Sequence, residues 1–589
     1  VSARMVGRKG GISMRESTLT LATLVLLMCQ PLVPCLGASE RTPYEQQAQE
    51  ILRSTAVRGG LVVHLGCGDG RLTAGLRAGD SYLVHALDRD AANVRQARQF
   101  IMSRGLYGPV SVDQLGGNRL PYVDNFVNLI VSEDLGGVPM AEVMRVLTPN
   151  GVAYLKNGGT WTKTVKPWPA EIDEWTHFFH DATGNPVAHD TVVGPPRRYQ
   201  WIGSPRWSRH HDHMASMSAL VSAKGRLFYI VDEGSRASIQ LPAKWSLIAR
   251  DAFNGTVLWK RPIPEWNTHR WPLKSGPAQI TRRLAAVGDT VYVTLGLDAP
   301  LTALDAATGA TLRTYAGTAN TEEIIVSDGV VFLLVNRAPS KWPEYRNEFS
   351  YVWDNSRHAN TGWPWDKQPR RIVAVDAGSD KSLWRVDATV APLTLAADSK
   401  RVYFHNGERI VSINRANRRQ AWESAPVPTR EPMPVCFGPR LLVWQDVVVC
   451  AGGTRKMTAV SADTGKTLWT GDHPRSGHRS PEDLFVVNGL VWSGQIANTA
   501  DSGIFKGLDP HTGQVKKQFP PDVKIYWFHH RCYPSKATDR YLMTSRNGTE
   551  FIDYEKETWE PHHWVRGGCI YGVLPSNGLM YAPPHSCGC

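Results

Sequence analysis

One ten-residue phrase recurs down the second half of the chain and restricts what it can fold into. It first reads Arg250-Asp251-Ala252-Phe253-Asn254-Gly255-Thr256-Val257-Leu258-Trp259. It returns as Leu304-Asp305-Ala306-Ala307-Thr308-Gly309 to Arg313, and as Val375-Asp376-Ala377-Gly378 to Trp384. Weaker copies run from Ile413-Asn414 to Trp422, from Val460-Ser461-Ala462-Asp463-Thr464-Gly465 to Trp469, and from Leu508-Asp509-Pro510-His511-Thr512-Gly513 to Lys517. A shortened last copy spans Ile552-Asp553 to Trp559. In the first six, the Asp-like position precedes the Trp-like position by eight residues. The copies lie mostly about 40–50 residues apart, the period of propeller blades.

Each copy reads as two short strands around a tight turn, with Gly at the position that needs a positive φ. Further strands precede most copies, for example Thr290-Val291-Tyr292-Val293, Val330-Val331-Phe332 and Arg401-Val402-Tyr403-Phe404. Short strands punctuated by Gly, Asn and Asp predict all-β structure. One four-stranded blade cannot bury both of its faces, and radial stacking does. The recurring Trp is therefore expected to pack between blades. From about Pro195 to the end, the pattern resembles the tryptophan-docking propeller of the quinoprotein alcohol dehydrogenase-like superfamily. That group includes pyrroloquinoline quinone (PQQ) dehydrogenases and a propeller lipoprotein of outer-membrane assembly. After seven repeats an eighth strand, Asn577-Gly578-Leu579-Met580-Tyr581-Ala582, is followed by only seven residues. Either a strand near 219–232 completes the ring or the chain is a fragment, and a fragment is the expectation.

At 589 residues, two or more domains are expected. The net charge of +12 is spread along the chain, which fits a basic exported protein better than a nucleic-acid binder. Residues 19–36 are apolar apart from two Thr and one Gln. Arg4, Arg8, Lys9 and Arg15 precede them and Gly37-Ala38-Ser39 follows, the pattern of a cleaved export signal. Export to the periplasm or envelope is thus expected, with no membrane span after cleavage. Seven Cys lie beyond this segment, four of them in the last sixty residues, where disulfides are favoured over a zinc site.

The N-terminal half alternates strand and helix. Leu61-Val62-Val63-His64-Leu65 is an apolar strand, followed by Gly66-Cys67-Gly68-Asp69-Gly70 and a helix from Arg71. About 20 residues on, Leu83-Val84-His85-Ala86-Leu87-Asp88 ends a second strand in a carboxylate, which can accept from ribose hydroxyls. Two more strands and the turn Arg145-Val146-Leu147-Thr148-Pro149-Asn150-Gly151 follow, predicting a parallel, doubly wound sheet. Over 61–155 these motifs resemble class I S-adenosylmethionine-dependent methyltransferases. The resemblance implies that Gly66, Gly68 and Gly70, with Asp69 nearby, line the methionine portion of S-adenosylmethionine. It further implies that Asp88 binds the ribose, that Asp113 and Gln114 approach the adenine, and that Glu133 and Asp134 face substrate. One departure stands out: the family's usual Phe-Asp before the fourth strand is Val127-Asn128 here. No convincing pair of strands follows Leu155, and S-adenosylmethionine is a cytosolic metabolite, so export predicts a degenerate domain.

Between the halves, His177, His180 and Asp181 are candidates for acid–base chemistry, as are His211 and His213 further on. His177 and His180 are expected on one helix face, and His211 and His213 on one strand face. His210, His211 and His213 are the candidate metal ligands. The alternative is a hydrogen-bonded collar at the propeller mouth.

The expected organisation is a multidomain chain: an N-terminal extension and signal (1–38), an α/β doubly wound, Rossmann-like methyltransferase domain (40–158), a linker (159–194) and an all-β propeller of seven to eight blades (195–589). The whole resembles a planctomycete-type family of exported proteins joining these two parts. Three functions are open. The first is a quinoprotein-type oxidoreductase of alcohols or sugars using PQQ with calcium. The second is a non-enzymatic scaffold for envelope proteins or polymers. The third is an active methyltransferase whose propeller captures a small-molecule or polymer substrate.

Overall fold

Each copy of the repeated phrase folds into a turn closed by its own acid. Asp251 accepts hydrogen bonds from the amides of Phe253 and Asn254. Asp305 accepts from Ala307 and Thr308, and Asp509 from His511 and Thr512. Asn414 does the same for Ala416 and Asn417. A short side chain that bonds two and three residues ahead fixes the turn, which explains why the position is Asp, Asn or Ser. This computed structural model describes residues 41–209, 213, 216–268, 270–272, 276–477, 480–494, 502–521, 532–544, 548–562 and 565–584. The architecture below lies within one compact unit, Tyr44–Cys589.

The turns join antiparallel strands into four-stranded sheets over 217–262, 284–314, 321–388, 396–426, 440–472 and 485–519. A seventh sheet over 536–562 gains a fifth strand, Val187–Ala188, added in parallel. An eighth carries Leu574–Ser576 and Leu579–Tyr581. The first strand of each sheet lines the axis, and the eighth of these contacts the first. The repeated Trp docks one blade on the next. The indole N–H of Trp259 donates to Ala306 O at 3.0 Å, Trp384 to Arg415 O at 2.7 Å, Trp422 to Ala462 O at 2.8 Å and Trp469 to Pro510 O at 2.7 Å.

Residues 217–232 form the two innermost strands of the first blade, so they are not the closing piece of the last. Trp201 instead donates to Ala252 O at 2.8 Å, repeating the docking bond on the first blade. Its ring lies against Tyr581 of the eighth blade, whose hydroxyl donates to the same carbonyl.

The segment read as a linker is a thread around the axis. Asp173 O accepts from Asn577 N of the eighth blade, and Trp175 exchanges backbone bonds with Ser222 of the first. Ala286 of the second blade donates to Thr176 O, and Val326 of the third to His177 Nε2. Ala397 and Val443 of the fourth and fifth donate to Ala182 O and Thr183 O. Asn185 pairs with Val486 of the sixth, Pro186 O accepts from Ala537 of the seventh, and Asp190 accepts from Gly578, back on the eighth. One stretch thus meets every blade in turn. It satisfies a backbone donor on each of the eight with its own backbone carbonyls or side chains, which buried backbone requires. The helix face expected for His177 and His180 does not form, because the two residues face each other across a β-bridge and His180 sits at φ 67°.

The N-terminal domain is a six-stranded sheet. Strands β1 (Gly60–Leu65), β2 (Tyr82–Asp88), β3 (Val110–Gln114), β4 (Val127–Ser132), β5 (Leu147–Asn157) and β6 (Thr160–Val165) lie in the order 3-2-1-4-5-6. All neighbours are parallel except β6, which the sequence reading had placed in the linker. Alternate residues of β1 bury on opposite faces, Val62 toward helices α1 (Pro43–Thr55) and α2 (Arg71–Gly75), Leu61 and Val63 toward the other side. The starting edge of β1 and β4 docks on the first propeller turn. Asn128 Nδ2 donates to Asp251 Oδ2 at 2.6 Å, and Asn128 Oδ1 accepts from Asn254 Nδ2 at 2.7 Å and Leu61 N at 2.8 Å.

The export signal expected at 1–38 lies outside the described residues. Among those described, no helix is long and apolar enough to cross a membrane.

Candidate functional site

The strand order of the N-terminal sheet reverses between β1 and β4, and open α/β sheets bind ligands at that point, beyond the strands' C-terminal ends. The glycine loop leaves β1 there. Gly68 has φ 53°, and a Cβ built on it meets nothing within 4 Å. Gly66 faces equally open space, its nearest neighbour being Asp134 O at 3.9 Å. Gly70 serves packing instead: its Cβ would lie 2.8 Å from that of Ala97 on helix α3 (Ala91–Ser103). Asp69 caps Arg71, accepting from its backbone N and Nε at 3.0 Å each.

Asp88 ends β2 at the mouth of this loop. Gly68 N donates to its Oδ2 at 3.0 Å and Asp90 N to its Oδ1 at 2.9 Å, which holds the carboxylate against the open side of the loop. Beneath it, burial drives the His64 imidazole down to about 4, so the ring is neutral when it meets the Thr73 hydroxyl at 2.8 Å. Burial, with the Asp88 charge second, pushes the Cys67 thiol up to about 12, which leaves it without nucleophilic character. Across the crevice, Glu133 is paired with Lys156 at 3.0 Å and Gln47 at 3.4 Å. Lys156, Gln47 and Arg89 went unnoticed in the sequence, being isolated polar residues without a motif. Arg89 ties the rim together, donating to Gly136 O at 2.9 Å and to Asn118 Oδ1 at 2.7 Å. Asp113 is occupied by Arg98 at 2.7 Å and His85 at 3.2 Å, and Gln114 donates to Arg89 O.

The polar cluster between the halves belongs to the thread. Burial drives the His177 ring down to about 3, and both of its nitrogens are engaged, by Val326 N and the Thr176 hydroxyl. Sealed from solvent, it ties blades together and has no free nitrogen for acid–base work. Burial opposes charge on His180, but bonds to Asp173 at 2.8 Å and to Asp181 outweigh it and hold the imidazolium at about 9. Asp181 in turn is pulled down to about 2 by His180 and Thr183 against the opposing effect of its burial. Of the residues expected on one strand face or as metal ligands, His210 and His211 lie outside the described residues, and His213 bridges to Pro272. Among the described residues no three His, Cys, Asp or Glu side chains converge as a metal site requires. Cys532 and Cys569 form a disulfide.

The His180 staple predicts a pH profile. Its folded value of about 9 exceeds the free value of 6.5, so its contribution is complete below 6.5 and is lost as pH rises through 9. His177 acts in the opposite sense: present above 6.5 and lost as pH falls toward 3. Stability should therefore peak near 6.5, with an alkaline loss of about 3 kcal/mol that His180→Gln removes. Melting temperatures across pH for both proteins measure it, and parallel alkaline limbs would refute the assignment.

The axis is filled. Trp175, Phe178 and Phe179 of the thread are buried in it, and the Arg440 guanidinium lies 3.2 Å from the Phe179 ring centroid. At the other end Ala278 N, leading into the second blade, donates to Val435 O, leading into the fifth, so backbone crosses the ring.

A doubly wound domain with a glycine-loop crevice is thus joined to a Trp-docked ring of blades. Residues 62–151 match the family described as Methyltransferase domain, and residues 369–520 that described as Outer membrane protein assembly factor BamB. Among solved structures, the chain is similar to a proposed S-adenosyl-L-methionine-dependent methyltransferase from Methanococcus maripaludis, with 23% identity and a TM-score of 0.19. That match covers 20% of this chain and 57% of the other. BamB from Moraxella catarrhalis is 14% identical over 56% of this chain and 82% of its own, with a TM-score of 0.35. A europium-containing methanol dehydrogenase is 11% identical over 68% of this chain and 86% of its own, with a TM-score of 0.40. No curated protein matches the chain. The chain thus carries a methyltransferase domain over residues 62–151 and a BamB-like propeller region over residues 369–520.

Proposed function

We propose that the chain binds S-adenosylmethionine in the β1–β4 crevice and that its propeller is a non-catalytic scaffold. The observation that carries the first half is the open space facing Gly66 and Gly68 beside the anchored Asp88. Gly66 and Gly68 let a ligand approach the backbone, and Asp88 accepts from the ribose hydroxyls. Glu133, Lys156 and Gln47 form the far wall, where opposite charges on Glu133 and Lys156 suit a zwitterionic amino-acid group. S-adenosylmethionine supplies an electrophilic methyl group when bound. The neighbouring residues orient it: Arg89 fixes the rim, and neutral His64 supports the loop from below without adding charge.

The scaffold half rests on the filled axis. PQQ with calcium needs an open plane and convergent carboxylates, and the described residues do not fit it: Arg440 is stacked on Phe179, and the buried acid Glu323 is paired with Arg282 at 2.8 Å. The docked edge also argues against capture of a substrate by the propeller for the crevice. The crevice lies at the opposite end of six-residue β1, about 20 Å from the interface at ~3.3 Å per residue. If export holds, the crevice would meet a compartment without the cofactor, so binding is best measured on purified protein. Calorimetry should show S-adenosylmethionine binding to the full chain, weakened about tenfold or more by Asp88→Ala. No heat from the unaltered chain would end this reading.

A further inference from the structure

Beside the first blade, a cavity of about 610 Å³ opens between residues 202–209 and 232–236, apart from both the crevice and the axis. Its size is that of a small-ligand site. Three side chains on its walls point to an occupant. Trp207 is 59% exposed, an unusual state for the largest apolar side chain, and Arg206 and Arg236 are exposed beside it with no ion pair among the described residues.

The walls are held rigid from behind. Arg250, itself buried, donates to Ser204 O at 2.7 Å and to Gly255 O at 2.7 Å, pinning one wall to the first-blade turn. Arg209 pairs with Asp232 at 2.9 Å, both side chains nearly sealed from solvent. It also donates to the carbonyls of Ser235, Ser238 and Leu241, fixing the opposite wall. Two buried arginines thus pre-set the spacing of three exposed recognition groups, which lowers the ordering cost of binding. Neither the ring nor the N-terminal domain needs an exposed Trp here: docking of the blades uses Trp201.

We propose that this cleft binds an acidic glycan, a chain of sugar rings bearing carboxylates. The flat face of Trp207 matches the C–H face of a pyranose, and Arg206 and Arg236 present forked N–H donors to ring carboxylates. Glu233, paired with Lys260 at 2.7 Å on the cleft edge, supplies carboxylate oxygens that accept from sugar hydroxyls. A nucleic-acid backbone offers phosphates without hydrogen-bond donors, whereas a glycan sets hydroxyl donors beside each carboxylate, so the lining of two arginines with Glu233 favours the glycan.

The test is calorimetry of the full chain with trigalacturonate, the neutral maltotriose and a short oligothymidylate. Trigalacturonate should bind, and Trp207→Ala and the pair Arg206→Ala/Arg236→Ala should each weaken it about tenfold or more. Raised salt should weaken the unaltered protein but not the double-arginine variant. All three side chains are exposed, so unchanged melting temperatures verify that the variants fold; Trp207→Tyr, which keeps a flat ring, should retain most binding. Absence of trigalacturonate binding, or binding indifferent to Trp207→Ala, overturns the proposal. So does equal binding of maltotriose, which removes the acidic requirement, or tighter binding of the oligothymidylate, which replaces the glycan with a nucleic acid. S-adenosylmethionine binding is read separately and should be the same in every variant.

Discussion

Gly309→Ala should destabilise the propeller by about 2–5 kcal/mol, whereas Gly329→Ala should cost about 1–2 kcal/mol. The two glycines have nearly equal backbones, φ 71° and φ 74°; Gly309 sits in a turn of the repeated phrase and Gly329 in the turn between strands Thr321–Ser327 and Val330–Val335. Left-handed φ alone costs an L-residue about 1–2 kcal/mol, and that is all Gly329 should lose, since a Cβ there meets nothing within 4 Å. A Cβ at Gly309 would lie 2.6 Å from Cδ2 of Trp259. The indole must move, which adds about 1–3 kcal/mol of overpacking and strains its 3.0 Å bond to Ala306 O. Trp259 is the bond between the first blade and the second, so the damage falls on ring cohesion. Urea midpoints of the full chain, followed by tryptophan fluorescence, measure the difference. Equal midpoints for the two variants would show that the docking contact is not under the load assigned to it.

That contrast marks how far the sequence could be read. The Asp-to-Trp phrase disclosed blades because each copy solves the same local problem: an acid that closes its own turn, a Gly that leaves room, and an indole that reaches the next copy. Trp201 belongs to the same set, yet no Asp precedes it, because the rest of its blade comes from Leu574–Ser576 and Leu579–Tyr581 at the other end of the chain. The thread was harder still. Its contacts are mostly single backbone bonds to partners as far away as Asn577, and backbone bonding leaves no residue signature. His177 and His180 therefore looked like a helical pair poised for chemistry, when Asp181, Gly184, Asn185 and Pro186 favour a turning, extended path. In the N-terminal half the glycine loop and Asp88 were legible because ligand geometry demands them in order. Glu133 was read as facing substrate, but its wall partners Gln47 and Lys156 were not, since the wall is assembled from a helix, a strand and the loop after β4. Helix Val352–Gly362, inserted between two strands of the third blade, was also missed, because its aromatic residues follow neither blade period nor turn chemistry.

Asn128→Asp should uncouple the two halves. The departure from Phe-Asp at this position makes sense once its neighbours are known: Asn128 must donate to Asp251 at 2.6 Å while accepting from Asn254 and Leu61. A carboxylate accepts but cannot donate, and Asp251 is buried, which pushes its pKa above the usual carboxylate range. Two enclosed carboxylates at this spacing cannot both ionise, so the substitution should cost about 3–5 kcal/mol at neutral pH. Because the pair would share a proton, its folded pKa rises above the free value, and the penalty should shrink as pH falls toward about 5. The exchange Asn128→Asp/Asp251→Asn restores one donor and one carboxylate and should recover at least half of the loss. Limited proteolysis between the halves, with melting curves at neutral and acid pH, reads all three proteins. An Asn128→Asp variant that melts like the unaltered chain at neutral pH would show that the contact does not hold the halves together. Since the crevice opens at the far end of β1, S-adenosylmethionine binding should survive the substitution, separating the docking edge from the binding edge of one sheet.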